Sequence, residues 1–300
     1  MKHTLKITIF LIVLFFAAQV VGLEAVRQSI DFGELNKTGN VTYTSLMGNI
    51  TRPEVQPDYS FVWIFAAIIA GTLLVFLLMR FRQQKLWKVW FLLSVVVTLS
   101  FCFYALTKNI GFSLISALVL AVWKVYRPNI WVHNLTEIFI YGGLAVIFVP
   151  IMNVIAGIVL LILISGYDMY AVWKSRHMIK LAQFQTKSNV FAGLFVPYKR
   201  IPAPKKGEQV VKKKVRTAIL GGGDIGFPLI FTGIIMTSLI MKYGLVLGFF
   251  LSLIVTVCAT IALLLLFLFA EKDKFYPAMP FISAGCFAGY GIILLIQALL

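Results

Sequence analysis

Long apolar runs separated by short polar connections fill the chain, and none shows the every-second-residue alternation of a half-buried strand. Nine such segments can be drawn, at residues 7–23, 61–79, 87–106, 110–126, 135–149, 154–172, 218–241, 244–269 and 277–300. A helix needs about 20 apolar residues to cross a hydrocarbon core of roughly 30 Å. Most segments approach that length; 110–126, no longer than 7–23, and 135–149, the shortest, are the weakest of the nine. Pro150 and Asn153 part the fifth segment from the sixth, because proline disfavours continuing a helix. The pattern predicts an all-α polytopic membrane protein with about nine transmembrane helices. A β-barrel would alternate polar and apolar residues instead. The prediction is a single membrane domain over 1–300: six helices within 1–173, a basic loop at 174–216, and three helices within 217–300.

Charge adds orientation. The chain has 27 Lys and Arg against 11 Asp and Glu, a net charge of +16. Such a balance could point to nucleic acid, but the cations cluster in short loops between apolar runs. Lys2 and Lys6 precede the first span. Arg80, Arg82, Lys85 and Lys88 lie between the second and third, Lys124 and Arg127 follow the fourth, and 174–216 is strongly basic. All fall on one side, which the positive-inside rule makes cytoplasmic. The N-terminus is then cytoplasmic and the C-terminus extracytoplasmic. The first segment also fits a cleaved signal peptide, with its Lys-bearing start and the small residues Gly22 and Ala25. Cleavage would leave eight spans. Outer-loop acceptor patterns for N-glycosylation begin at Asn36, Asn40 and Asn49; Asn134-Leu-Thr matches too, but falls on the cytoplasmic side.

Candidate chemistry is sparse. Cys102, Cys258 and Cys286 sit in apolar segments with no metal-ligand spacing, and His3, His133 and His177 are scattered. These residues predict no metal and no cofactor. Of the 11 acids, five lie in the outer loop and three in cytoplasmic loops. Glu137 is read as interfacial, near the cytoplasmic end of the fifth span. Asp168 and Asp224 remain, the acids placed well inside apolar runs. A carboxylate at a helix centre costs roughly 2.5–3.5 kcal/mol on insertion scales, so each is a functional candidate by default. The bland alternative is a protonated Asp bonding a neighbouring helix. Asp168 lies about six residues, ~9 Å, from the cytoplasmic edge of its span, and Asp224 about eight residues, ~12 Å, from the same edge. Sequential antiparallel helices are usually neighbours, so the two carboxyls can face each other. Such a pair shares one proton, as amide hydrolysis by activated water requires.

The local motifs are Tyr167-Asp168, Gly221-Gly222-Gly223-Asp224 with Pro228 four residues on, and Pro277-Ala278-Met279-Pro280 at the head of the last span. They resemble the YD, GxGD and PAL motifs of the presenilin and signal peptide peptidase family, with Met279 where that family usually has Leu. The resemblance covers the C-terminal half; the first five helices match only in number and hydropathy. It implies an intramembrane aspartyl protease that cuts transmembrane helices, with Asp168 and Asp224 catalytic. Tyr167, Gly221, Gly223, Pro277, Ala278 and Met279 would shape the site and hold substrate. The implied partners are transmembrane polypeptides and the lipid bilayer, with no obligatory protein partner evident. Size and loop length are those of a prokaryotic, archaeal-type homologue in the cell membrane.

A substrate helix must unwind before its peptide bonds are accessible, and an edge strand could capture it. Val210, Val211 and Val215 have the β-branched character for this, although Lys212, Lys213 and Lys214 beside them equally suit a loop at headgroups. Two other functions remain open on sequence. Paired intramembrane acids also serve proton- or ion-coupled transporters, but no inverted repeat is visible. Prepilin-type peptidases carry GxGD as well, without the Tyr167-Asp168 helix or the Pro277 motif.

Overall fold

In a computed structural model, residues 4–48, 50–81, 83–127, 129–175, 190–197, 217–271 and 276–299 are described. Ten α-helices are present among them: α1 (Leu5–Gln28), α2 (Phe32–Thr38), α3 (Ser60–Arg80), α4 (Gln84–Thr107), α5 (Ile110–Tyr126), α6 (Ile130–Phe148), α7 (Val154–Met169), α8 (Gly223–Tyr243), α9 (Leu245–Phe269) and α10 (Met279–Leu299). Eight helical stretches are long and apolar enough to cross a membrane, and α5, at 17 residues, is a shorter apolar helix. With α5 counted, the predicted spans are all present.

Two boundaries near the candidate site differ from expectation. Residues 217–221 form a strand, so the seventh span starts at Gly223 rather than residue 218. The fifth span begins at Ile130, where the Asn129 side chain caps the first turn by accepting from the Trp131 amide. That start precedes the expected one by five residues and moves Glu137 from the first turn of the helix to more than a turn inside it.

At the centre lies α8, packed against α1, α6, α7, α9 and α10. Of its most apolar stretch 72% is buried, against 17% for the span that contains α3. The C-terminal helices pack with backbones close together. A Cβ at Gly285 would come within 2.7 Å of the Cys258 carbonyl oxygen, and one at Gly289 within 2.6 Å of the Val255 Cα. Two glycines four residues apart thus open one face of α10 to α9, as small residues do between membrane helices. On the other side of the bundle a Cβ at Gly143 of α6 would lie 1.9 Å from the Thr98 carbonyl oxygen of α4.

One end of the bundle is closed by the segment between α1 and α3. Arg52 donates to the carbonyls of Thr44 (2.7 Å) and Val146 (3.2 Å), and Tyr43 Oη lies 2.5 Å from Thr237 Oγ1. Asn36 and Asn40 are exposed there, while Asn49 lies outside the described residues. The opposite end carries a two-stranded antiparallel hairpin, β1 (Gly193–Pro197) and β2 (Thr217–Gly221), paired from Gly193↔Gly221 to Pro197↔Thr217. This hairpin end also receives the C-terminus of α7 and the N-termini of α8 and α10.

Candidate active site

Asp168 occupies the last α-helical turn of α7, immediately before a π-helical turn at Tyr170–Ser175. Only 7% of it is exposed. Its Oδ2 accepts a hydrogen bond from the Met279 amide at 3.1 Å, and the Ala278 amide lies near enough to act on it electrostatically. These are orphan donors at the start of α10, where the helix presents positive partial charge. Asp168 therefore caps a helix other than its own. The Pro-Ala-Met-Pro sequence makes this contact selective. Pro277 and Pro280 have no N–H, so the two residues between them supply the amides. One turn further, the Ser165 hydroxyl donates to Ser283 Oγ at 2.9 Å and fixes the same pair of helices. Pro277 and Met279 are buried, Ala278 and Tyr167 half-buried.

Asp224 sits in the first turn of α8 and is half-buried. The helix starts one residue before it, so Asp224 is nearer the end of the bundle than a span from residue 218 implies. The glycines before it have separate roles. Gly221 ends β2, and a Cβ there would lie 3.2 Å from Asp224 Oδ2. A Cβ at Gly223 would meet the Phe227 ring at 3.3 Å. Gly222 is the most constrained: its amide donates to the Ala192 carbonyl at 3.3 Å, and a Cβ would fall 2.9 Å from the Tyr141 hydroxyl oxygen. The family motif singles out Gly221 and Gly223; the fold adds Gly222. Pro228 lies inside α8, where its missing N–H leaves one carbonyl of the first turn without its helical donor. From α1, the buried Gln19 donates to the next carbonyl, that of Ile225, at 2.9 Å.

Asp168 is thus brought to Ala278 and Met279, and Asp224 to the junction of β2 with α8. Their helices are packed neighbours, α7 against both α8 and α10.

A third set of residues escaped the sequence reading. Glu137 is 1% exposed rather than interfacial, and its Oε1 lies 2.5 Å from Nζ of Lys124, itself 3% exposed. Lys124 is accordingly a buried partner inside α5, not a loop cation that reports orientation. The same face of α6 grips β1. His133 Nε2 is 2.8 Å from the Gly193 carbonyl oxygen, and Glu137 Oε2 accepts the Gly193 amide at 3.0 Å. Asn134 donates to the Phe195 carbonyl at 2.9 Å and accepts from the Phe195 amide at 3.1 Å. That use of its side chain also removes Asn134 as a modification acceptor. The available signal was spacing: His133, Glu137 and Tyr141 recur every four residues and share one helix face. Val210, Val211 and Val215 lie outside the described residues; the strand that is described here begins at Thr217. Among the described residues, no three His, Cys, Asp or Glu side chains are grouped as metal ligands.

The family model for signal-peptide peptidase, presenilin aspartyl protease matches residues 40–299. Two solved structures of a presenilin family intramembrane aspartate protease, in space groups C222 and P2, are similar in fold. The first has a TM-score of 0.62 at 16% identity and covers 96% of this chain and 99% of that one. The second has a TM-score of 0.60 at 16% identity, with 96% and 97% covered. No curated protein matches the chain.

Proposed function

Because the chain belongs to the signal-peptide peptidase, presenilin aspartyl protease family, we propose that it hydrolyses peptide bonds within transmembrane segments, with Asp168 and Asp224 as the catalytic pair. The observation that carries this is the capping of α10 by Asp168, which sets the Pro277–Met279 motif beside one acid while α7 packs against the helix of the other.

Two carboxyls in a site of low dielectric hold one proton between them. The ionised member removes a proton from water as the oxygen bonds to the scissile carbonyl carbon. The protonated member gives its proton to the carbonyl oxygen. Collapse of the gem-diol returns a hydroxyl proton to the pair, and the departing nitrogen takes the other. The C–N bond breaks, and one shared proton is restored. No Ser or Cys nucleophile and no metal enters any step.

Substrate capture follows from the hairpin. Gly193 and Phe195 turn their backbone groups toward α6, so Leu194 and Val196 face Leu220 and Ala218 of β2. In an antiparallel ladder the intervening β2 residues, Thr217, Ile219 and Gly221, then direct their N–H and C=O groups to the opposite edge. An unwound substrate would add there as a third strand. The hairpin end faces the cytoplasm in this reading, on the strength of the basic loops that remain after Lys124 is withdrawn. The family match over 40–299 weighs against the transporter and prepilin-peptidase alternatives.

The test uses purified protein in detergent with a single-span substrate, and the products are mapped by mass. Cuts are expected within the apolar span. Asp168→Ala and Asp224→Ala should each lower turnover by roughly a thousandfold or more, because a dyad acts as a unit. Cleavage retained in either variant refutes the assignment.

A further inference from the structure

The face of α6 that grips β1 continues one turn further, to Tyr141, which is 3% exposed. Its hydroxyl donates to Glu137 Oε2, the oxygen that also accepts the Gly193 amide at 3.0 Å. Lys124 Nζ holds the other oxygen at 2.5 Å. One buried carboxylate therefore ties together α5, β1 and the phenol of Tyr141. The far side of that phenol meets α8. A Cβ at Gly222 would come 2.9 Å from its oxygen, and one at Gly226 would lie 3.8 Å from its ring. The ring thus spans the first turn of α8, with Asp224 between its two contacts and close enough to act on the phenol electrostatically. A phenylalanine would fill the same volume. A buried hydroxyl is worth its desolvation only when its partner is fixed, and the ion pair fixes this one.

We propose that Tyr141 is a positioning residue for Asp224: its phenol, anchored by the Lys124–Glu137 pair, is the stop against which the Gly222–Gly226 turn rests. The aspartate and strand β1 then share one reference point, the Glu137 carboxylate, which sets the reacting acid in register with a captured substrate strand. Catalytic geometry is sensitive to displacements of about 1 Å, so a tether of this kind acts on rate rather than on binding. The inference rests on the protease reading above.

Tyr141→Phe in the full chain keeps the ring and deletes the stop. In the single-span cleavage assay kcat should fall about tenfold, the effect of losing one hydrogen bond to a charged group, while KM changes by less than about twofold. Asn134→Ala should divide the other way, raising KM more than it lowers kcat, because it loosens β1 without touching the phenol. Gly222→Ala crowds the same contact from the opposite side, and its loss should be less than additive with that of Tyr141→Phe. This variant decides the question if Tyr141→Phe does not fold. Wild-type kcat in Tyr141→Phe, or additive losses in the double variant, overturns the proposal. Asp224→Ala in the same assay separates the two readings. If it still cleaves, the protease assignment has failed; if it is dead while Tyr141→Phe is unimpaired, only the positioning role has.

Discussion

Asp168 has two separable roles, acceptor for the α10 amides and acid of the proposed dyad. Asparagine retains an acceptor oxygen but no titratable proton. Asp168→Asn should therefore keep a fold close to that of the parent while abolishing cleavage. Asp168→Ala should lose both, with a stability cost of about 1 kcal/mol for the missing cap. Thermal unfolding in detergent beside the cleavage assay distinguishes the two. If Asn at 168 still cleaves, the carboxyl is structural. The acids were legible in the sequence because charge inside an apolar run is costly and therefore conspicuous. Tyr141 was not, since a tyrosine in a membrane helix is ordinary until its neighbours are known. Glu137 was hidden by a boundary. Trp131, His133 and Asn134 dilute the apolar signal at the start of α6, and a helix drawn from residue 135 leaves Glu137 at the surface.

The elements that escaped were short ones. Five residues of Thr-Ala-Ile-Leu-Gly carry no usable period, and beside a long apolar helix they read as its first turn. Pairing with β1 decides otherwise, and α6 supplies the second edge that keeps β1 in place. The exposed edge of β2 gives a prediction at this scale. Proline at 219 removes an N–H that faces away from β1, so the hairpin survives, as proline does on edge strands. Ile219→Pro should cut kcat/KM for a transmembrane substrate by roughly tenfold or more, the effect of losing one or two strand hydrogen bonds. Unchanged cleavage would dismiss β2 as the docking edge. The long helices, by contrast, were read to within a few residues, because hydropathy over a span reports directly on what must face lipid.

Taken whole, the molecule is a bundle built around α8, with α3 at its margin and the proposed chemistry at the hairpin end. Hydropathy gave the number of spans; it held no information on which helix lies in the middle, which depends on where neighbours can close on α8, as α1 does at Gly22 against Leu229 and α7 at Gly157 against Ile234 and Phe231. The proposed cytoplasmic placement of the hairpin end predicts an extracytoplasmic C-terminus. A phosphatase reporter fused there should be active only if it is exported, and an inactive reporter beside an active cytoplasmic one would reverse the topology.

The Lys124–Glu137 pair also bears on how the chain enters the membrane at all. Helix α5 has 17 residues, one cation near its end and no acid of its own. Helix α6 follows after residues 127–129 and brings the matching carboxylate. Each charge alone opposes partition into lipid, whereas the Lys124–Glu137 pair is neutral. During synthesis α5 should wait at the interface until α6 emerges. Nascent chains ending at residue 126 should integrate α5 less completely than chains ending at residue 148, and Glu137→Ala should erase that difference in a protease-protection assay.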